Sequence, residues 1–345
     1  MSTGYLKSIH TVDSHTEGNA TRVIVGGVPV PPGKTLLDKR AWLMANGDGL
    51  RRMLNFEPRG SGMMCSVLIL PAERPDSDFA AIIMEQDEYV PMCGHCIIGT
   101  ATTIVATGMV PMKAPVTTVR IDTPAGQVVC DVAIKDGAVD SVSFENVDSF
   151  VLIDRATIDV EGYGKTEVSI AYGGDFYAFV DADKLGIDLT PHNDAQLIDA
   201  WRKIRTAVGK QLKTVHPERP DIDVCYQVQF TSEKKTTGDY KQTILCPPGS
   251  LDRSPCGTGT SARVALLYTR GELALNQPRK FEGVLGTYFT GEAVKAEKRN
   301  GITYVRPRVT GRAYITGFHH FVLDPTDPLP EGYRIGNVPR KMAAE

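Results

Sequence analysis

Residues 91–108 read PMCGHCIIGTATTIVATG, and residues 254–271 read SPCGTGTSARVALLYTRG. Each stretch leads from a Pro-containing loop through Cys-Gly and small residues into an apolar run. Each closes on a glycine fifteen residues after its cysteine, Cys93 to Gly108 and Cys256 to Gly271. Glycine just past a periodic run stops a helix, so the spacing predicts helices over 97–107 and 260–270 with a thiol at or near each N-terminus. Such an echo predicts two lobes of like construction that present equivalent thiols.

Working outward, short β-rich segments bounded by Gly, Pro or Asp turn residues recur at 21–28, 65–70, 80–84, 117–121 and 127–135. Helical periodicity is confined to a few further places. Residues 36–54 read as one broken helix or two short ones, and 195–212 as a long amphipathic helix. The class is therefore mixed α/β (α+β). The acidic, Gly-containing stretch 154–165 is a candidate crossing between lobes.

At 345 residues the chain is long enough for two lobes, and 42% apolar with 23% charged residues is an ordinary globular balance. A net charge of −3 without basic runs argues against a nucleic-acid partner and for a small-molecule ligand. No stretch has the length of apolar residues that a membrane span needs, and the first residues lack an apolar signal core, so a cytoplasmic protein without a membrane partner is expected. Seven cysteines, at 65, 93, 96, 130, 225, 246 and 256, then predict free thiols rather than a disulfide framework.

A thiol at a helix N-terminus is stabilised as thiolate by the exposed N–H groups and the helix dipole. The same N–H groups attract a carboxylate. Two such thiols could therefore flank the α-carbon of an amino acid, one removing its proton while the other protonates the opposite face. The weak acidity of that proton is offset by hydrogen bonds to the carboxylate as it gains enolate character, and bases near neutrality suit the task. His95 lies two residues after Cys93 and Asp252 four before Cys256. Either can anchor a substrate ammonium or set a thiol's protonation, although His95 can also be a capping residue and Asp252 the start of an Asx-turn.

At these residues the chain resembles the proline racemase family, which includes proline racemases, 4-hydroxyproline 2-epimerases and trans-3-hydroxyproline dehydratases. Met92-Cys93-Gly94-His95 looks like its first catalytic motif and Asp252-Arg253-Ser254-Pro255-Cys256-Gly257-Thr258-Gly259-Thr260 like its second. Asp13-Ser14-His15-Thr16-Glu17-Gly18, Glu57-Pro58-Arg59-Gly60, Thr123-Pro124-Ala125-Gly126, Gly173-Gly174-Asp175-Phe176, Val215-His216-Pro217 and Ile315-Thr316-Gly317-Phe318 extend the likeness along most of the chain. The resemblance implies a diaminopimelate epimerase-like fold of two pseudo-symmetric lobes, each a sheet wrapped around a central helix, with the site in the cleft. The expected division is 1–150, carrying Cys93 and completed by 322–345, and 151–321, carrying Cys256. It also implies that Cys93 and Cys256 are base and acid, that His95 and Asp252 hold the substrate amine, and that the amides of Gly94, Gly257 and Thr258 take the carboxylate. No cofactor or metal is expected; the partners are an imino-acid substrate and, as an assembly, a homodimer.

By the same resemblance, dehydratases typically carry Thr at the second catalytic position, so Cys256 points to inversion. Three positions depart from many proline racemases: Ser61 stands where they have His, and Cys65 and Cys246 where aromatics occur. Smaller, more polar walls leave room for a ring hydroxyl that Ser61 could hydrogen-bond, which favours 4-hydroxyproline over proline. Cys65 and Cys246 can equally be ordinary buried thiols.

Other readings fit less of the sequence. Cys93-Gly94-His95-Cys96 has the C-x-x-C spacing of thiol-disulfide oxidoreductases, but Pro91-Met92 precede it and Cys256 would be unexplained. A zinc site there lacks a second ligand pair, and Ile97 after Cys96 excludes the c-type haem pattern. His319 and His320 are adjacent and would point to opposite faces of a strand. A non-catalytic amino-acid-binding protein would have no need of both thiols and both neighbours.

Overall fold

The computed structural model of the chain describes residues 8–247, 249–324 and 326–335. The chain divides into two compact units, one running to Phe144 and resuming at Gly311, the other running from Glu145 to Thr310.

In the first unit, β1 (Ser8–Thr16) and β2 (Asn19–Gly26) form a hairpin. Its two-residue turn, Glu17-Gly18, has positive φ at both positions (47° and 106°), the backbone that a tight hairpin favours. Then come α1 (Leu36–Asn46), α2 (Gly49–Asn55), β3 (Cys65–Pro71), β4 (Phe79–Met84), α3 (Gly94–Ala106), β5 (Val116–Thr123), β6 (Gly126–Lys135) and β7 (Ala138–Glu145). From the far end of the chain β17 (Ala313–Val322) returns to pair with β1 along its whole length.

The second unit contains β8 (Ser149–Val160), β9 (Gly164–Tyr172), β10 (Phe176–Asp181), α4 (Asp194–Gln211), β11 (Gln227–Ser232), β12 (Tyr240–Cys246), the short β13 (Ser250–Leu251), α5 (Gly257–Thr269), β14 (Arg279–Glu282), β15 (Tyr288–Arg299) and β16 (Ile302–Gly311).

Pairing order makes the kinship of the units explicit. The series β17-β1-β2-β3-β4-β5-β6-β7 pairs as antiparallel, antiparallel, parallel, antiparallel, parallel, antiparallel, antiparallel. The series β8-β9-β10-β11-β12-β14-β15-β16 repeats that order step for step. Parallel neighbours need a crossover, and it is helical in each case: α1 and α2 answer to α4, and α3 to α5. The second sheet closes where β16 pairs with β8. The fold is α+β and diaminopimelate epimerase-like.

Helices α3 and α5 form the centres of the two units. Helix α3 carries no charged Lys, Arg, Asp or Glu and is buried on all sides, as a helix apolar all round must be. Ile97, Ile98 and Ile104 are fully enclosed, each worth about 1.5–3 kcal/mol of burial. Gly99 permits the close approach of α3 to the β1–β2 hairpin, since a Cβ there would meet Thr21 Cβ at 3.0 Å and Ser14 Oγ at 3.1 Å. Both helices end in the same motif. Gly108 (φ 77°) and Gly271 (φ 74°) are left-handed; Gly108 N donates to Val105 O and Met109 N to Ile104 O, as Gly271 N donates to Tyr268 O and Glu272 N to Leu267 O. These are Schellman caps.

Several sequence expectations need correction. The stretch 154–165 is no crossing: it forms the end of β8, a turn and the start of β9, all inside the second unit. The chain passes between units at Phe144/Glu145, ahead of the expected 150/151, and returns at Gly311 rather than at 322, because all of β17 belongs with β1. Of the expected completing segment, residues 336–345 lie outside the described residues. The 36–54 stretch is indeed two helices, α1 and α2. No described helix is long and apolar enough to cross a membrane.

Glu282, at the end of β14, braces the second unit. Its fully buried carboxylate accepts from the amides of Thr236 and Thr237, both at 2.7 Å, and of Gly238 at 3.0 Å, and pairs with Lys241 Nζ at 3.1 Å. Burial alone would raise its pKa, but these amide bonds outweigh it and bring the group from 4.5 to about 2. A carboxylate so depressed contributes stability that is complete above its unfolded pKa and is lost as pH falls through the folded one. We therefore expect Glu282→Gln to cost on the order of 2–3 kcal/mol at pH 7. The difference from the parent should shrink as pH is lowered from 4.5 towards 2, measured by denaturant unfolding. Equal stability of the two proteins at pH 7 would contradict this.

Candidate active site

Cys93 is the N-cap residue of α3, with extended backbone (φ −144°, ψ 122°). Its half-buried Sγ lies 3.2 Å from His95 Nδ1. The other ring nitrogen, Nε2, is 3.0 Å from Asn19 Nδ2 and 3.3 Å from Cys96 Sγ. Thr16 Oγ1 donates to the His95 carbonyl at 2.9 Å, so the two ends of the hairpin turn grip His95 at backbone and ring. The hydrogen bond from Cys96 holds the Cys93 thiol well below its ordinary range against the opposing effect of burial, and the charge on His95 adds to it. Burial works against a charged His95, yet the thiolates of Cys93 and Cys65 raise its pKa well above the usual value. Both shifts favour the thiolate–imidazolium form of the Cys93–His95 pair.

Three groups surround the pair. Cys65, on β3 and 3% exposed, is brought to about 7 by a hydrogen bond from Cys96 and the His95 charge, against burial. Burial pushes the Cys96 thiol well up. Glu85, just after β4, faces Cys93, and its pKa is raised well above the usual carboxylate range first by burial and then by the charge of the Cys93 thiolate. Sequence reasoning missed Glu85 and Asn19: Asn19 is distant from Cys93 in the chain, and only its approach to Cys93 distinguishes Glu85 from the polar residues that follow it.

Cys256 caps α5 differently. Its backbone is left-handed (φ 65°, ψ 119°), outside the αL basin near ψ about 47°, a strain of about 1–3 kcal/mol that tends to gather at functional sites. Its Sγ accepts from Gly259 N at 3.4 Å and lies 3.5 Å from both Thr258 Oγ1 and Tyr177 OH, which are 2.6 Å from each other. Asp252 Oδ1 accepts from Ser254 N at 2.8 Å and Ser254 Oγ at 3.0 Å, an Asx-turn that aims the loop into Cys256. Behind it Gln242 Nε2 donates to Pro255 O at 2.7 Å and Thr260 Oγ1 at 2.9 Å. Burial, then the Asp252 carboxylate, pushes the Cys256 thiol up to about 12.

This overturns the expectation that both helix-opening thiols are depressed. The helix N-terminus acts on each, but beside Cys93 stands a cation, whereas beside Cys256 stand hydroxyls and a carboxylate. The Cys93 thiol is therefore biased towards thiolate and the Cys256 thiol towards its protonated form.

Ser61 is exposed in the turn before Cys65; its carbonyl accepts from Gln86 Nε2 at 2.8 Å, and the same amide reaches Asn55 O and Met64 O. Cys246, ending β12, is half-buried with Sγ 3.7 Å from Ser250 O. Burial raises the thiols of Cys130 and Cys225 far above the working range. His320 stacks on His10 at 4.1 Å while His319 Nε2 lies 3.6 Å from Asp13 Oδ2. The first turns of α3 and α5 supply the amides of Gly94, Gly257 and Thr258, which helix geometry leaves without intrahelical acceptors. Among the described residues, Cys65, His95 and Cys96 bring three donor atoms within 4.8 Å of one another, one short of a closed tetrahedral zinc site.

The proline racemase family model matches residues 11–334. A 4-hydroxyproline 2-epimerase of Streptosporangium roseum is 44% identical over 94% of this chain and 97% of its own, and a proline racemase of Clostridioides difficile is 40% identical over 95% and 98%. A hydroxyproline epimerase of Agrobacterium vitis, solved with bound trans-4-hydroxy-L-proline, superposes with a TM-score of 0.86 at 34% identity, covering 96% of each chain. Duplicated sheet order, twin helix-opening thiols and end-to-end similarity lead to one conclusion: this chain belongs to the proline racemase family.

Proposed function

We propose that the chain is an isomerase that inverts the α-carbon of a proline-type imino acid, with 4-hydroxyproline as the preferred substrate, epimerised from trans-4-hydroxy-L-proline to cis-4-hydroxy-D-proline. The observation that carries this reading is the unlike surroundings of two equivalently built thiols: Cys93 Sγ lies 3.2 Å from the His95 ring, which favours its thiolate, whereas Cys256 Sγ lies 3.5 Å from the hydroxyls of Thr258 and Tyr177, where burial and Asp252 favour the thiol. An inversion without an external base needs that starting pair. Cys93 removes the α-proton; Cys256 delivers its proton to the opposite face; the enzyme is left with Cys93 as thiol and Cys256 as thiolate, and the resting form returns when Cys93 gives a proton to solvent and Cys256 takes one from it, or when the D-epimer is turned over in reverse.

The amides of Gly94, Gly257 and Thr258 take the carboxylate, where hydrogen bonds strengthen as enolate character develops. Of His95 and Asp252, Asp252 has the charge to hold the substrate ammonium, and His95 holds the Cys93 thiolate. Ser61 is offered as the partner of the ring hydroxyl.

The test is incubation in deuterated water with L-proline, trans-4-hydroxy-L-proline and trans-3-hydroxy-L-proline separately. We expect α-deuterium with inversion, fastest on the 4-hydroxy compound. Inversion fastest on proline makes the chain a proline racemase; loss of water from the 3-hydroxy compound without inversion makes it a dehydratase and overturns the reading.

A further inference from the structure

Asn19 opens β2 and is 1% exposed. Its Nδ2 faces His95 Nε2 at 3.0 Å, while its Oδ1 is enclosed without a hydrogen-bond partner among the described residues. An orphaned buried acceptor costs about 1–3 kcal/mol, and the two ends of a carboxamide are nearly the same size. Against an imidazolium, Nδ2–H and Nε2–H would be two donors facing each other at 3.0 Å; turning the amide over places Oδ1 against Nε2, with Nδ2 taking the unpartnered place. The ring then donates at both ends, Nδ1–H to Cys93 Sγ and Nε2–H to Asn19 Oδ1, which is the hydrogen-bonding pattern of an imidazolium.

The second unit supports this independently. Thr258 sits two residues after Cys256, as His95 sits two after Cys93, and it also meets its cysteine's sulfur. Thr258 is in turn held at 2.6 Å by Tyr177, from β10, the strand that answers to β2. Each half therefore has a relay of strand residue, residue two after the cysteine, and thiol. Only the first relay contains a group that can carry a positive charge, the His95 ring.

We propose that Asn19 is a positioning residue which holds His95 as an imidazolium and through it keeps Cys93 a thiolate ready to act as base. This deepens the two-thiol reading and rests on it. The other titratable groups that face the pair are Cys65 from β3, Cys96 from α3 and Glu85 from the segment after β4. They are unchanged by substitution at Asn19, so a shift on its replacement reports the amide.

The experiment is the pH dependence of iodoacetamide reaction at Cys93, followed by peptide mass, in the parent, Asn19→Ala and Asn19→Asp. The parent should show an acid limb well below that of an ordinary thiol. Asn19→Ala should move the limb up by about one pH unit, lowering the rate below the limb about tenfold. Asn19→Asp, which restores an acceptor for Nε2–H, should return the limb to the parent's position or lower. An unmoved limb in folded Asn19→Ala, with a low limb in the parent, overturns the role of Asn19 alone, as does failure of Asp to restore a limb that Ala has raised. A parent limb at the position of an ordinary thiol overturns the thiolate base itself and this proposal with it.

Discussion

Cys256→Ala is expected to lose inversion by on the order of 10²–10⁴-fold, the usual worth of a positioned acid or base, yet to keep a slower exchange of the α-hydrogen with solvent on the L-substrate, with retention of configuration. Cys93 remains a thiolate in that variant and can take the proton, but without Cys256 it can only return it to the face it left. Cys93→Ala should behave differently. Its remaining thiol has its pKa pushed up to about 12 by burial and Asp252, so at neutral pH it cannot abstract a proton from the D-substrate, and neither exchange nor inversion should be seen. Chiral chromatography with proton NMR in deuterated water separates these outcomes. Intact inversion in either variant would contradict the two-thiol account.

The second large effect is on chemical reactivity. At pH 7 a thiol whose pKa is about 12 is ionised in roughly one molecule in 10⁵, whereas Cys93 is shifted strongly towards thiolate. A lower pKa also makes a weaker nucleophile and returns about half of that advantage on a logarithmic scale. The net selectivity for alkylation at Cys93 over Cys256 is therefore on the order of 10²-fold or more. Cys130 and Cys225 are buried, with thiols raised by burial, and should stay unlabelled while the protein is folded.

Much of this architecture is written locally in the chain. The helix-opening cysteines, the glycines at 108 and 271, and the break between α1 and α2 all depend on residues within a few positions of one another, and local patterns carry such features well. The long-range features are not so written. That β17 supplies the outermost strand of the first unit's series is a matter of pairing with β1, some three hundred residues away, and no periodicity announces a partner at that distance. The same holds for the site. Cys93 and Cys256 could be singled out, but Asn19, Glu85 and Tyr177 come from other strands or loops and matter only once burial brings them to a thiol.

Helix dipoles alone would make the two thiols alike, since they act through the first turn of each helix. Burial and the Asp252 charge outweigh that effect at Cys256. At Cys93 the Cys96 hydrogen bond and the neighbouring imidazolium reinforce it. Cys65 likewise shifts in meaning: at 3% exposure it is part of the network around His95 rather than an open wall of a pocket.

The measurement that bears most directly on the opposed protonation of the two thiols is a time course of iodoacetamide labelling of the native protein at pH 7, resolved by peptide mass at Cys93 and Cys256. The account predicts that Cys93 is labelled at least about 10²-fold faster than Cys256 and that activity disappears in step with its modification. Labelling of the two at comparable rates, or of Cys256 first, would contradict it.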